Sequence, residues 1–360
     1  GCSYFMKKIN KNLALAGYPL IKLEGLEGGL IFVLPFGGRV LGLFTKDKTG
    51  NFFWVNSLLN DESGTKRFFE TKGWKNTGGD RTWAGPELEL FIKDVAKPWD
   101  TYEVPATIDP GNYSVKQYSK TVHMLNSARV FLYRSHRECE IEIDKKIRMI
   151  PNPLRYKHID GRLTRELEYI GYEQVTTLRL VSNTEPGVRL DIWNLIQVPA
   201  GGELIIPTIV KTKPRIYFGS PGDTHVKAYP DHIRLTIDAK KKYKTGIHAA
   251  SLIGRAGYLR QEARDTWTLL VRNFFINPSG EYVDVPWDDE TDFGYAMQCY
   301  NDDGGFGRFG ELEYHTPAIG EETDRREYTD NSQVWAFRGD KQHILEVCRC
   351  LLGYGNQVEL

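Results

Sequence analysis

The chain has 360 residues, of which 41% are hydrophobic and 26% charged, and its 47 basic side chains balance 47 acidic ones. A chain of this length buries about three quarters of its unfolded surface, so it folds without disulfides or metals. The zero net charge argues against a nucleic-acid-binding protein, whose affinity comes mainly from neutralising phosphates. No apolar run is long enough to predict a membrane-spanning segment.

The first residues carry a possible targeting signal. Gly1-Cys2-Ser3 resembles what remains at the cleavage point of a bacterial lipoprotein signal, with Cys2 as the lipidated residue. Gly1 is equally what a cloning remnant leaves. We therefore expect either the cell envelope or periplasm, or the cytoplasm. The other cysteines fit no metal template, and Cys348 and Cys350 are expected to face different sides of a helix.

Most of the chain is predicted to form strands. Apolar and polar residues alternate between Tyr18 and Phe44, where glycines divide them into two or three strands. The same pattern recurs at Tyr113–Gln117, Thr121–Leu125, Ala128–Tyr133, Cys139–Ile150, Glu173–Val181, Val188–Pro199, Leu204–Val210, His232–Asp238, Trp267–Phe275 and Tyr295–Tyr300. Closely spaced strands separated by turn residues indicate a sandwich or barrel. Strands do not alternate with helices, so a doubly wound nucleotide-binding sheet is not expected.

Helices are predicted at two places, Asn56–Ser63 and Asp340–Leu352, and the second ends at Gly353. No internal repeat and no linker-like composition divides the chain. We therefore predict an all-β protein with one domain of about 20 strands over residues 18–360, preceded by an extension at 1–17.

The densest group of functional residue types is Gly78–Glu87. Its glycines permit a turn, after which Arg81 and Trp83 share one face of a strand. A guanidinium donates to sugar hydroxyls, and an indole covers the apolar face of the ring. The alternative is a structural turn in which Arg81 pairs with Asp80 or Glu87.

A second group lies in Phe309–Pro317, where a strand would place Glu311, Glu313 and His315 on one face. Neighbouring carboxylates raise each other's proton affinity, which suits a general base. The alternative is the exposed polar face of an edge strand.

A third group is Val181–Thr184 together with Asp191–Pro199, where Trp193 and Gln197 share one face of a strand and neither face is wholly apolar. It is typical of either the wall of a sugar cleft or a structural strand. Weaker signals at Arg255–Tyr258 and Asp284–Asp288 add polar and aromatic groups, whereas Trp54 is expected in the core. The histidines form no zinc pattern and no phosphate loop or serine elbow is present, so we expect no metal and no cofactor.

Together these groups resemble the galactose mutarotase-like superfamily, the aldose 1-epimerases and their uncharacterised bacterial relatives. Three segments between residues 18 and 338 carry the resemblance, in the same order as in the family. They are Gly78–Glu87, which is similar to the Gly-Gly-x-Arg-x-Trp-x-x-Pro-Glu stretch, Asn183 followed by Trp193, Gln197 and Pro207, and Glu311-Leu312-Glu313 followed by Pro317.

The resemblance implies a β-supersandwich of large twisted antiparallel sheets with a sugar cleft on the concave side. It also implies anomer exchange, in which a glutamate takes the proton of the C1 hydroxyl while a histidine protonates the ring oxygen. By resemblance, Glu313 is the base, with Glu311 as the alternative, and Arg81 binds the substrate.

The chain departs from the family at the acid. The family histidine lies in an Asn-His-x-Tyr-Phe segment, whereas Asp191–Leu195 contains Trp193 and no histidine. An indole N–H does not release its proton, so His248 or His315 would have to replace it. Two hypotheses follow: an epimerase acting on a mono- or oligosaccharide, and a non-catalytic saccharide-binding protein. The expected ligand-binding residues are Asp80, Arg81, Trp83, Glu87, Trp193, Gln197 and His248, and no oligomeric state is predicted.

Overall fold

The computed structural model describes residues 2–156, 161–181, 187–320 and 323–353. Gly1 of the N-terminal tripeptide and Asn183 of the third group lie outside the described residues. The described part contains twenty strands: β1 Ile21–Glu24, β2 Leu30–Leu34, β3 Arg39–Phe44, β4 Asp80–Gly85, β5 Ser114–Tyr118, β6 Thr121–Leu132, β7 Arg137–Met149, β8 Glu168–Leu180, β9 Arg189–Pro199, β10 Gly202–Pro207, β11 Arg215–Phe218, β12 Val226–Ala228, β13 His232–Ile237, β14 Tyr243–Ile247, β15 Arg255–Ala263, β16 Thr266–Asn273, β17 Met297–Asn301, β18 Phe309–His315, β19 Ile319–Gly320 and β20 Glu327–Gly339. Its helices are α1 Cys2–Leu15, α2 Glu62–Glu70, α3 Glu87–Leu90, α4 Pro98–Thr101, α5 Gly161–Glu166, α6 Gly222–His225 and α7 Lys341–Leu352.

The strands form two large antiparallel sheets, which confirms the all-β prediction. The first has the order β1-β2-β3-β4-β9-β18-β17-β14-β11, with β19 also paired to β9. The second has the order β12-β13-β10-β15-β16-β20-β8-β7-β6-β5. Side chains such as Ile196 and Leu312 from the first sheet and Leu204 and Leu270 from the second belong to one buried core cluster, so the sheets pack face to face.

The helices lie at the periphery of the sandwich. Helix α7 begins at its N-cap Asp340 and ends at Gly353 in a left-handed conformation, as the sequence predicts. Cys348 is buried and Cys350 exposed, which confirms that they face different sides. The short helix predicted at Asn56–Ser63 is a 3₁₀ turn followed by α2.

Helix α1 is a feature that the strand-dominated sequence pattern did not reveal. It buries Met6, Ile9 and Leu13 against a cluster that contains Phe32 and Phe44 of β2 and β3. Across the described residues, no helix is both long and apolar enough to cross a membrane.

The order of the first sheet decides which residues can meet on its outer face. β18 pairs with β9 on one side and β17 on the other, so the alternative that it is an edge strand is wrong. Arg81 of β4 lies opposite Leu195 of β9, which lies opposite Glu313 of β18. Directly opposed residues of antiparallel strands point to the same face, so these side chains lie on one surface.

Candidate functional site

Strand β4 sends alternate residues to opposite sides of the first sheet. Arg81 and Trp83 point outward, and the Arg81 guanidinium carbon lies 4.0 Å from the centre of the Trp83 ring and 5.2 Å from that of Trp74. The Arg81 Nη1 donates to Glu311 Oε2 at 2.7 Å. Arg81 therefore pairs neither with Asp80 nor with Glu87, and the predicted alternative of a local ion pair in the turn is wrong.

A buried aspartate holds the two indoles around Arg81. Asp109 Oδ2 accepts a hydrogen bond from Trp74 Nε1 at 2.8 Å and from Trp83 Nε1 at 3.1 Å. Arg39 Nη2 donates to the same oxygen at 2.7 Å. Because one carboxylate orients both rings, the cation–π arrangement is fixed before any ligand arrives.

Glu313 lies at the centre of the outer face. Trp193 Nε1 donates to Glu313 Oε1 at 2.9 Å, and Lys244 Nζ lies 3.4 Å from the same oxygen. Burial raises the pKa of Glu313 to about 7, Lys244 opposes this rise, and the carboxylates of Glu311 and Glu87 add to it. Burial lowers the pKa of Lys244, but the surrounding carboxylates more than compensate and raise it overall.

Glu87 faces Glu313 across Lys244. Its Oε1 lies 3.4 Å from Lys244 Nζ and accepts a hydrogen bond from Trp287 Nε1 at 2.8 Å. Tyr102 OH donates to Glu87 Oε2 at 2.7 Å. Two segments outside the sheet, one after β4 and one before β17, thus cover this part of the outer face.

His315 lies beside Trp193, with ring centres 5.1 Å apart. Its Nδ1 is 3.0 Å from Asp191 Oδ2 and its Nε2 is 3.7 Å from Asp284 Oδ2. Burial lowers the pKa of His315, but the two aspartates outweigh burial and raise it above its ordinary value. The two aspartates therefore favour the protonated form of His315.

The His315–Asp191 pair needs Gly85 opposite Asp191. A Cβ atom at Gly85 would lie 2.3 Å from Asp191 Oδ1 and 3.1 Å from the His315 ring. Any side chain at this position would displace the pair. Asp284 is fixed separately, because Gln298 Nε2 donates to its Oδ2 at 2.7 Å and the Glu87 backbone N–H donates to its Oδ1 at 2.9 Å.

These groups form what we term the charged cluster. It contains the carboxylates of Glu87, Asp191, Asp284, Glu311 and Glu313 and the cations of Arg81, Lys244 and His315, none of them more than 8% exposed. Taking charges out of water costs several kcal/mol per ion unless they are well paired. A buried concentration of charge with displaced pKa values is typical of functional sites.

The cluster contains most of the residues expected from the sequence. Gln197 Nε2 donates to Glu311 Oε2 at 3.2 Å, and Trp83, Glu87 and Trp193 make the contacts given above. Within the described part of the chain, no group of three or more histidine, cysteine, aspartate or glutamate side chains is placed to hold a metal ion.

Two expected ligand-binding residues lie elsewhere. Asp80 points into the space between the sheets, where Arg272 Nη1 is 2.9 Å and Tyr172 OH is 2.6 Å from its Oδ2. His248 stacks on Tyr295, with ring centres 4.2 Å apart, outside the cluster. Both expectations are therefore wrong. Asp80 directly precedes Arg81 in the strand and so points to the opposite face, and the sequence does not show where a loop histidine such as His248 packs.

Of the weaker signals, Asp284–Asp288 reaches the cluster through Asp284 and Trp287. Arg255–Tyr258 instead lies in the second sheet, where Tyr258 OH donates to the Pro199 carbonyl. Lys244 was not predicted at all, because it is a single lysine in β14 and only the pairing of distant strands brings it to Glu313.

The two-sheet sandwich is the fold of the aldose 1-epimerases. A putative aldose 1-epimerase from Escherichia coli K12 matches 89% of this chain and 99% of its own at 9% identity, with a TM-score of 0.50. A galactose 1-epimerase from Lactobacillus acidophilus NCFM matches 89% and 95% at 9% identity, with a TM-score of 0.40. A GalM/aldose epimerase homologue from C. elegans matches 89% and 98% at 10% identity, with a TM-score of 0.39. At 9% identity, the similarity to the Escherichia coli protein establishes the fold alone.

Residues 14–357 match a family of unknown function (DUF6786), and the chain belongs to that family. Comparison with curated proteins gives no match. The resemblance seen in the sequence is thus confirmed for the fold, and within it the chain represents an uncharacterised branch.

Proposed function

We propose that the protein binds a saccharide in the charged cluster and exchanges its anomers, with Glu313 as the general base. The observation that carries the proposal is the pairing on one strand face of Glu313, whose pKa is raised to about 7, with His315, whose pKa is also raised. Proton exchange at a sugar requires a positioned base and a positioned acid, and a pKa of about 7 suits Glu313 to the first role.

In this mechanism Glu313 takes the proton of the C1 hydroxyl while His315 gives its proton to the ring oxygen. The C1–ring oxygen bond breaks, the aldehyde rotates about its bond to C2, and closure from the other side gives the other anomer. Each positioned acid or base contributes about 10²–10⁴-fold. Glu311 is the weaker candidate for the base, because its cation Arg81 lies at 2.7 Å, whereas the cation of Glu313, Lys244, lies at 3.4 Å.

Ligand binding is assigned to Arg81, Trp83, Glu87, Trp193 and Gln197. Among the described residues, several buried polar atoms of this region have no hydrogen-bond partner, namely Arg81 Nε, Asp191 Oδ1, Gln197 Oε1, Gln298 Oε1 and His315 Nε2. An unsatisfied buried polar atom costs about 1–3 kcal/mol, and sugar hydroxyls are groups that can satisfy it.

A second function, saccharide binding without catalysis, is favoured by Trp193. Its indole lies in the segment that resembles the family's histidine segment and donates to Glu313 Oε1 at 2.9 Å. It fixes the carboxylate but releases no proton. His315, for its part, is held between two aspartates, which stabilise its charged form and make it a weaker proton donor.

The two functions are separated by measuring anomer exchange with NMR and binding with calorimetry on a panel of aldoses. The epimerase predicts accelerated exchange that Glu313→Gln abolishes while binding remains. Glu138→Gln, at an exposed position in β7, is the matched control and is expected to behave as wild type. Saturable binding without acceleration for any sugar would select the non-catalytic function, and no binding at all would reject both.

A further inference from the structure

A continuous series of aromatic rings surrounds the charged cluster. The centres of neighbouring rings in this series lie 4.6–6.3 Å apart, from Trp54 at one end to Trp74 at the other. We term this series the aromatic rim, and it runs Trp54, Phe309, Tyr300, Phe218, Trp99, Trp287, Tyr102, Phe91, Trp83 and Trp74. Its inner rings touch the cluster, as Trp83 does through Arg81 and Trp287 through Glu87.

The rim reaches solvent at Trp74, which is 36% exposed, and more extensively at Trp99. Trp99 is 50% exposed and the nearby Phe306 is 68% exposed. Lys242 lies between them, with its Nζ 4.5 Å from the Trp99 ring centre and 4.9 Å from that of Phe306. Lys242 is two residues from Lys244, so this exposed platform adjoins the cluster directly.

Hydrogen bonds within the loop that carries Phe306 fix its backbone, and the Phe306 ring is exposed to solvent. Asp302 is buried, and its Oδ2 accepts hydrogen bonds from the backbone N–H groups of Gly304, Phe306 and Gly307 at 2.9–3.2 Å. A Cβ at Gly307 would lie 2.5 Å from the Trp54 ring, so the loop packs tightly on the rim. The exposure of Phe306 is therefore a property of an ordered loop.

Exposed aromatic rings that are contiguous with one another mark surfaces that a ligand or partner covers. Two aromatic faces with an ammonium group between them suit a pyranose, whose C–H face packs on a ring while its hydroxyls accept from the lysine. A single sugar ring held by the buried cluster would leave this platform uncovered. Trp99 also packs on Trp287, which donates to Glu87, so the platform and the cluster form one surface.

We propose that the ligand is an oligosaccharide, with one ring in the charged cluster and the following rings on Trp99 and Phe306. This inference rests on the proposed function, since it assigns a substrate class to the same site. It excludes a free monosaccharide as the best ligand.

The test is calorimetry with glucose, galactose, mannose and xylose and with their β-1,4-linked di- to hexasaccharides. Affinity is expected to rise with chain length in at least one series. Trp99→Ala and Phe306→Ala are each expected to lower oligosaccharide affinity by about 2- to 12-fold, the range for an aromatic contact, and to lower monosaccharide affinity less. Phe131→Ala, at an exposed ring 40% accessible in β6 of the other sheet, is the matched control.

Monosaccharide binding that needs Arg81 but gains nothing with chain length would overturn the oligosaccharide inference and leave the proposed function standing. A gain with length that survives both Trp99→Ala and Phe306→Ala would overturn the assignment to this platform. Absence of binding for every sugar of either length would reject the proposed function and the inference with it.

Discussion

Both faces of the first sheet bury charged side chains, but those side chains make different contacts on the two faces. On the inner face, Asp80 accepts from Tyr172 and lies 2.9 Å from Arg272, two residues of the second sheet. On the same side, Asn194 Oδ1 accepts from Thr82 at 2.6 Å and from Gln174 Nε2 of the second sheet at 3.1 Å. We term these residues the intersheet network, because their contacts join one sheet to the other.

The charged cluster on the outer face makes no such connection. Its members belong to the first sheet or to the segments that cover it, and five carboxylates meet three cations. Both groups contain buried polar atoms without a hydrogen-bond partner, among them Asp80 Oδ1 and Arg272 Nε on the inner face and His315 Nε2 on the outer face. Burial of charge alone therefore does not identify a site. We interpret the intersheet network as structural, because it joins the two sheets, and we propose ligand binding for the cluster.

The largest effect is expected from Glu313→Gln. If the cluster is catalytic, this variant loses about 10²–10⁴-fold in anomer exchange because a neutral amide cannot take the C1 proton. Its free energy of unfolding is expected to change little compared with that of a variant in the intersheet network. NMR exchange rates and urea unfolding measure the two quantities, and retention of the rate would remove Glu313 from the mechanism.

The complementary change is Asp80→Ala. It leaves Arg272 buried without its carboxylate partner, and breaking a buried pair in this way costs about 3–5 kcal/mol of unfolding free energy. The folded fraction should still exchange anomers at the wild-type rate. Glu138→Gln, which is exposed, serves as the control for both measurements. A stable Asp80→Ala protein with impaired exchange would reverse the roles assigned to the two faces.

The sequence predicts which residues share a face when they are close together in the chain, and does so poorly when they are far apart. The period of two along a strand is enough to place Arg81 with Trp83, and Glu311 with Glu313 and His315, on common faces. The same period places Asp80 on the face opposite Arg81, so the two could not both line one site, and the assignment of Asp80 to the ligand was wrong.

The pattern of residues alone did not predict which distant strands and segments contact each other. Lys244 and Glu87 are brought together by strand order and by a covering segment, and no local pattern records such a contact. Helix α1 was likewise missed, because its apolar residues become a buried face only when β2 and β3 are present to receive them. The resemblance of three short motifs predicted the fold, whereas the contacts of each side chain are known only from the structure.

A third prediction tests how tightly the cluster is built. Gly85→Ala inserts a Cβ 2.3 Å from Asp191 Oδ1 and so displaces the His315–Asp191 pair. Misplacing a catalytic group by about 1 Å costs up to about 10²-fold in rate, and we expect a loss of this order or less in anomer exchange. Gly161→Ala in α5, where a Cβ would approach only the end of the Arg165 side chain at 3.4 Å, is the control. An unchanged rate in Gly85→Ala would mean that His315 does not take part.

The smallest expected effect is a shift in the pH dependence of anomer exchange, and it is the most specific test of the outer face. Glu313 acts as a base only when deprotonated, and its pKa is raised to about 7, so exchange should increase as pH rises through this value. His315 acts as an acid only when protonated, and its pKa is raised, so exchange should fall again when pH exceeds that pKa. The carboxylate of Glu311 raises the pKa of Glu313, and removing its charge with Glu311→Gln should move the rising limb to lower pH. Asp80→Asn changes charge on the inner face and should leave that limb in place, measured on the folded fraction. A limb that moves with Asp80 and not with Glu311 would show that the titrating group faces the intersheet network, which would contradict the division between the two faces.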